Sequence, residues 1–282
     1  MPKTGGLTLR HFLLRRYGTR AFDHHDDRLI PPEILGSMFA PDLGENDRFL
    51  RSFASLPTEW QAAVMVFTGH FTYGIHDRLP GPNTYVTLVR DPIDRTLSQF
   101  AMRRRNRAPD LTLREFLTHR HTVGDQQTRR LAGGEWARGG ADTTGMLEAA
   151  KQHLVDDFAV VGLKERWDET MLVLADTFGW ERPYYHRYNE RPDGRSQLDV
   201  PADLVDRLRE MHQNDEELYR FAKARFEERL ARDHPDVERR VRRLRRGNDL
   251  WQRADPHVQR ARHMRYRLRS GAARTYHRLI GR

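Results

Sequence analysis

The chain contains no cysteine at all, which excludes disulfides, thiol catalysis and cysteine-based zinc sites. No apolar run reaches the length a membrane-spanning helix needs, and the start does not read as a secretory signal. These absences lead to the expectation of a cytoplasmic protein. The phosphate-loop pattern G-x-x-x-x-G-K-[ST] is missing, so is any compact Asp/Glu/His ligand motif, and no internal repeat is found. Hydrophobic residues are scarce at 38%, while charged residues reach 32%. That balance indicates a folded domain with strongly solvated helices.

What is present is positive charge. Lysine and arginine number 49 against 40 acidic residues, a net charge of +9, so nucleotides, sulfated or carboxylated glycans, nucleic acid and anionic membrane surfaces are the natural partners. A length of 282 residues suffices for one large domain with appendages. Leu9, Phe12 and Leu13 mark an early helix, and a short helical stretch is expected around Pro32–Phe39. Ala62–Phe67, Thr84–Val89 and Phe158–Leu163 have the length and composition of strands. The last is followed by a helix through Met171, Leu172 and Leu174 that closes at Gly179. Leu204 to Leu230 reads as a long amphipathic helical stretch. Strands alternating with helices give an α/β fold with a mostly parallel central sheet.

Two segments look built for phosphate. Lys3-Thr4-Gly5-Gly6-Leu7-Thr8 precedes a helix; its glycines permit a tight turn, and the helix N-terminus offers free N–H groups to an oxyanion. The same residues also read as a flexible tail. Arg90-Asp91-Pro92-Ile93-Asp94-Arg95-Thr96-Leu97-Ser98 lies where a strand runs into a helix, the edge at which open α/β sheets bind ligands. Arg90 leaves the strand and Ser98 sits about two turns into the helix, so both can reach one phosphate. An Arg–Asp turn before a solvated helix is the plain alternative.

The order P-K-T-G-G, G-H-F and V-R-D-P-x-x-R-x-x-S resembles the carbohydrate O-sulfotransferases, especially the branch of heparan sulfate and uronyl 2-O-sulfotransferases. Gln127 to Gly133, Phe158 to Leu163 with Glu165, and Leu218-Tyr219 extend the likeness over roughly residues 1–230. The resemblance implies a P-loop-like three-layer fold whose sulfuryl donor is 3′-phosphoadenosine 5′-phosphosulfate (PAPS). It places Lys3, Thr4, Gly5, Gly6 and Thr8, with the Leu7 backbone, on the 5′-phosphosulfate, and Arg90 and Ser98 on the 3′-phosphate. It points to His70 as the base that deprotonates the acceptor hydroxyl, and to Lys3 as the cation facing the departing phosphate oxygen. His76 is the nearest alternative base. Where the family often has a hydroxyl residue or a second histidine, this chain has Leu7 and Thr68. No metal is expected.

Arg103, Arg104, Arg129 and Arg130 are candidate contacts to an anionic saccharide or glycolipid acceptor, or else solvated helix ends. In the family an apolar strand directly precedes P-K-T-G-G, so Met1 is expected to be an internal methionine and the first strand to be missing from this chain. The expected division is residues 1–230 as the sulfotransferase domain and 231–282 as an arginine-rich helical extension, which would contact a membrane surface or simply be solvated. Nucleic acid is not the expected partner, although a basic nucleic-acid-binding protein, a nucleotide kinase-like enzyme and a member that has lost transfer are the competing readings.

Overall fold

The computed structural model describes residues 3–23, 45–106, 108–118, 124–139, 142–186 and 200–254. Helix α1 (Gly6–Tyr17) follows a turn in which Gly5 takes φ 90° and ends at Gly18, where φ is 56°. It leads to strand β1 (Ala21–Asp23). After α2 (Glu45–Ala54) and α3 (Thr58–Ala63) comes β2 (Val66–Thr68). β1 and β2 pair in parallel, with Phe22 opposite Phe67. Ala62 and Ala63 thus close a helix instead of opening a strand. Pro57 caps that helix and alanine favours it, so only the later Val-Phe-Thr step extends.

β3 (Tyr85–Val89) and β4 (Phe158–Leu163) form a second parallel pair, with Val89 opposite Leu163. Between them run α4 (Pro92–Asn106), α5 (Leu113–Thr118), α6 (Gln126–Ala132), α7 (Gly134–Ala137) and α8 (Met146–Asp156). Pro92 opens α4 because its missing N–H is not needed in the first turn, and the Asp91 carboxylate accepts the Asp94 N–H. β4 leads to α9 (Trp167–Phe178), which Gly179 ends in the left-handed conformation. Among the described residues the strands form two parallel pairs, not one continuous sheet. The architecture is mixed α/β with short parallel sheets. The segment 32–39 lies outside the described residues.

The stretch from Leu204 to Leu230 is two helices, α10 (Ala202–Met211) and α11 (Gln213–Asp233), broken at His212. The break has a cause: the buried His212 ring bonds Thr96 and the Asp125 backbone, while Asp125 accepts the Asp215 N–H. α12 (Val237–Ala254) carries the arginine run. Its Val241 and Leu244, three residues apart, join the main core with Met171 and Leu174 of α9. Arg240 pairs with Asp176 through both carboxylate oxygens at 2.6 Å, and Arg245 with the buried Asp168. The arginine-rich segment through Ala254 is therefore seated on the domain; residues 255–282 lie outside the described residues. Among the described residues no helix is long and apolar enough to cross a membrane.

Candidate functional site

The turn before α1 has the geometry of an anion cradle. Lys3 and Gly5 have positive φ, 67° and 90°, and Thr4 between them does not, an alternation that turns successive N–H groups to one side. The Gly5 carbonyl takes the N–H groups of Thr8 and Leu9, and no side chain caps the helix. Gly6 and Leu7 open the helix, where the macrodipole is positive. Thr4 and Thr8 are buried. A Cβ on Gly5 would lie 2.7 Å from the Trp167 ring and 2.9 Å from Lys164 Cδ. The turn is thus pressed against the β4–α9 junction, and only glycine fits there.

Arg90 leaves β3 at its C-terminal end and Arg90 Nη1 donates to the Lys3 carbonyl at 3.2 Å, joining the turn before α1 to the R-D-P corner. Gln127 fixes the arginine backbone: its Oε1 accepts the Arg90 N–H at 3.0 Å and its Nε2 donates to the Arg90 carbonyl at 2.8 Å. Glu165 accepts the Asp91 N–H and the Tyr219 hydroxyl. It comes no nearer than 4.0 Å to Arg90 Nε, an atom that is buried without a hydrogen bond.

Arg95, one turn into α4, is the largest fully buried side chain in the described residues. Its Nη1 donates to Gln126, but Nε and Nη2 have no hydrogen-bond partner. Burial holds its guanidinium below the ordinary arginine range; Asp215 opposes that shift, while Arg130 and Arg90 add to it. Arginine stays protonated in proteins, so the depressed value reports a cation short of negative charge. Ser98 follows Arg95 on the same helix face and is half-buried.

His70 sits just past the end of β2, and its carbonyl accepts from Arg130 Nη1 at 2.8 Å. The Arg130 carbonyl in turn takes the Tyr73 N–H, so α6 clamps this loop. Arg130 thus links the histidine loop to the cations around Arg95. Thr68, on the same strand end, donates to the buried Asp23. His76 lies elsewhere, in an aromatic cluster. Tyr85 Oη receives the N–H groups of Gly74 and His76, so its own proton goes to His76 Nδ1 at 2.7 Å. The His76 proton is then on Nε2, facing Asp77.

The remaining candidates divide. Arg129 donates to the Gly124 and Trp136 carbonyls, which ties the two ends of α6 to their flanking turns. Arg104 donates to the Pro109 carbonyl; with Arg103 it lies in the last turn of α4, about 13 Å of helix rise beyond Arg95. Arg90 meets the Lys3 turn, and Arg130, which holds the His70 carbonyl, acts with Arg90 on Arg95, whereas Arg103 and Arg104 lie in the last turn of α4. Arg95 and Gln127 stand in segments that the sequence singles out, R-D-P-x-x-R and Gln127–Gly133, but with no role of their own assigned there; Asp215 has no local signal.

Asp125, His212 and Asp215 come within 4.8 Å of one another, as metal ligands do, yet their ligand atoms are engaged. Asp215 accepts from Gln127 N, Thr128 N and Thr128 Oγ1, and Asp125 from Asn214 and Asp215 N. His212 Nδ1 accepts the Asp125 N–H, so the ring proton is on Nε2 and goes to Thr96 Oγ1 at 2.9 Å. Burial first, then Arg95, pushes His212 down to about 4, which keeps it neutral. Burial raises the Asp215 carboxyl, whose charge is the nearest counterweight to Arg95. The cluster is a hydrogen-bonded anchor for α6 and α11. No family model matches the chain, and no curated protein matches it.

Proposed function

We propose that the chain is a PAPS-dependent sulfotransferase of P-loop-like three-layer fold that acts on a hydroxyl of a saccharide or glycoconjugate. The observation that carries this reading is the pair Arg90 and Arg95: a part-buried guanidinium near Asp94 at 3.7 Å and a fully buried one, each with a buried nitrogen that has no hydrogen bond, the first bonded to the turn that opens α1. Such a site calls for an anion with more than one phosphate-like group, since guanidinium forks suit tetrahedral oxyanions. The likeness of the motifs to carbohydrate O-sulfotransferases narrows that anion to PAPS.

In this reading Gly5, Gly6, the Leu7 N–H and Thr8 hold the 5′-phosphosulfate, and Arg90 and Ser98 hold the 3′-phosphate. PAPS supplies an activated sulfur with a phosphate leaving group. The acceptor oxygen forms a bond to sulfur as the bond from sulfur to the phosphate oxygen breaks. The hydroxyl proton goes to a ring nitrogen of His70, and Lys3 faces the charge left on phosphate. A histidine accepts a proton near neutrality, and positioning with electrostatics supplies most of the rate. Arg130 keeps His70 in place through its carbonyl.

The test is transfer of labelled sulfate from PAPS across a panel of glycans and glycolipids. Wild type transfers label, while His70→Ala and Lys3→Ala each lose it by about a hundredfold or more yet still bind adenosine 3′,5′-bisphosphate. Wild-type rates in both variants would overturn the assignment.

A further inference from the structure

A second cationic site lies at the other end of α1. From Gly6 to Arg15 the helix rises about 14 Å, which separates this region from the turn at Lys3. A cavity of about 800 Å³ opens there, and every described residue lining it is an arginine or an aromatic. The arginines are Arg15, Arg16, Arg20 and Arg182, and among the described residues none of the lining is acidic. Cations near the end of a helix complement its dipole, which accounts for Arg15 and Arg16. It does not account for Arg20, beyond the helix, or for Arg182, on the far wall. Neither of those two pairs with an acid among the described residues.

The rings serve as platforms for the cations. Arg15 lies 4.1 Å from the Trp251 ring centre and Arg16 lies 5.7 Å from that of Trp180. Stacked in this way the guanidiniums are held flat, and their edges bond the cavity wall, Arg15 at the Tyr184 carbonyl and Arg16 at the Glu181 carbonyl, so Arg20 and Arg182 are the cations offered to an anion. The rings are otherwise occupied with one another. Phe12 and Phe178 pack on Trp180 at 4.9 and 5.3 Å, and Trp180 Nε1 donates to the Tyr17 hydroxyl. Open faces on which bases would stack are therefore few, and the cavity offers guanidiniums instead. Arg182 is held at φ 47°, with its carbonyl taking the Tyr184 N–H at 2.7 Å. Left-handed backbone at a non-glycine residue is strained and concentrates at binding sites.

We propose that this cavity binds a compact polyanion carrying two or more sulfate or phosphate ester groups on a sugar-sized scaffold. Its volume lies in the range of small-molecule sites and suits a di- or trisaccharide, with Arg20 and Arg182 in its lining. The inference is independent of the transfer reaction, because it uses none of the residues assigned to that reaction.

Calorimetric titration of the full chain tests it, with a sulfated tetrasaccharide, inositol hexakisphosphate, inorganic sulfate and a single-stranded oligonucleotide as probes. Saturable binding of the tetrasaccharide, the hexakisphosphate or both is expected, and which one binds tells whether the source is a glycan or a free phosphate ester. Arg20→Gln with Arg182→Gln weakens that binding at least tenfold, whereas Arg239→Gln with Arg242→Gln, the same charge loss on α12, leaves it within twofold. Saturating adenosine 3′,5′-bisphosphate does not displace the bound probe. Both pairs alter exposed side chains, and near-ultraviolet circular dichroism checks that the fold is kept. Equal weakening by the two pairs, displacement by the nucleotide, tightest binding of the oligonucleotide, or no saturable binding would each overturn the proposal.

Discussion

Acidification from pH 7 to pH 5 weakens the fold through His212. The ring is fully buried between Thr96 and the Asp125 backbone, and its pKa is pushed down to about 4 from 6.5. A proton on Nδ1 would replace the acceptor of the Asp125 N–H and set a second cation beside Arg95. The unfolded chain takes up that proton below about pH 6.5 and the native state only near pH 4, so stability rises with pH between these values. The contribution is fully present above pH 6.5 and lost as pH falls toward 4. Taking these two pKa values, the loss between pH 7 and pH 5 is about 2 kcal/mol. Asp125 and Asp215, whose carboxyls burial raises, work in the opposite sense, so the effect is read as a difference between two proteins. Urea unfolding of wild type and His212→Gln at both pH values gives that difference. Wild type is expected to lose about 2 kcal/mol more than the variant over this interval. Equal losses would refute the assignment of a neutral, desolvated His212.

Three further outcomes follow from the packing and the site. Gly5→Ala puts a Cβ 2.7 Å from Trp167 at φ 90°; it costs about 1–3 kcal/mol in chemical denaturation and weakens adenosine 3′,5′-bisphosphate binding. Leu244→Ala removes a buried contact of α12 and costs about 2–5 kcal/mol, whereas a cost below 1 kcal/mol would mean that α12 is not part of the core. Arg95→Met removes a buried, under-bonded cation. The variant also leaves the buried Asp215 without its counter-charge, so the free protein loses about 3–5 kcal/mol in urea unfolding, and the stabilisation induced by adenosine 3′,5′-bisphosphate is lost.

What the sequence made legible was local. Tyr85–Val89 and Phe158–Leu163 declare themselves by β-branched composition, and Gly179 marks the end of α9 because only a left-handed residue closes it there. The turn at Lys3–Gly6 and the R-D-P corner were readable for the same reason: each is a continuous segment with its own turn chemistry. The break at His212 was not, since its cause lies in Thr96 and Asp125, about ninety to a hundred and twenty residues away. The role of Gln127 was hidden likewise, because its side chain acts on the backbone of Arg90 across the fold. How the arginine run of α12 is seated was not legible in isolation. Its two apolar residues face the core, and Asp176 and Asp168 on α9 receive two of its arginines, a pairing that no spacing within the run reveals.

The central claim is that Arg90, Arg95 and the turn at Lys3–Gly6 form one anion site for a nucleotide with phosphates at both ends of its ribose. Calorimetric titration with adenosine 3′,5′-bisphosphate and with adenosine 5′-monophosphate tests it directly. The account predicts saturable one-to-one binding of the bisphosphate, at least tenfold tighter than the monophosphate, and loss of that preference in Arg90→Ala. Absence of binding, or equal affinity for the two nucleotides, would contradict it.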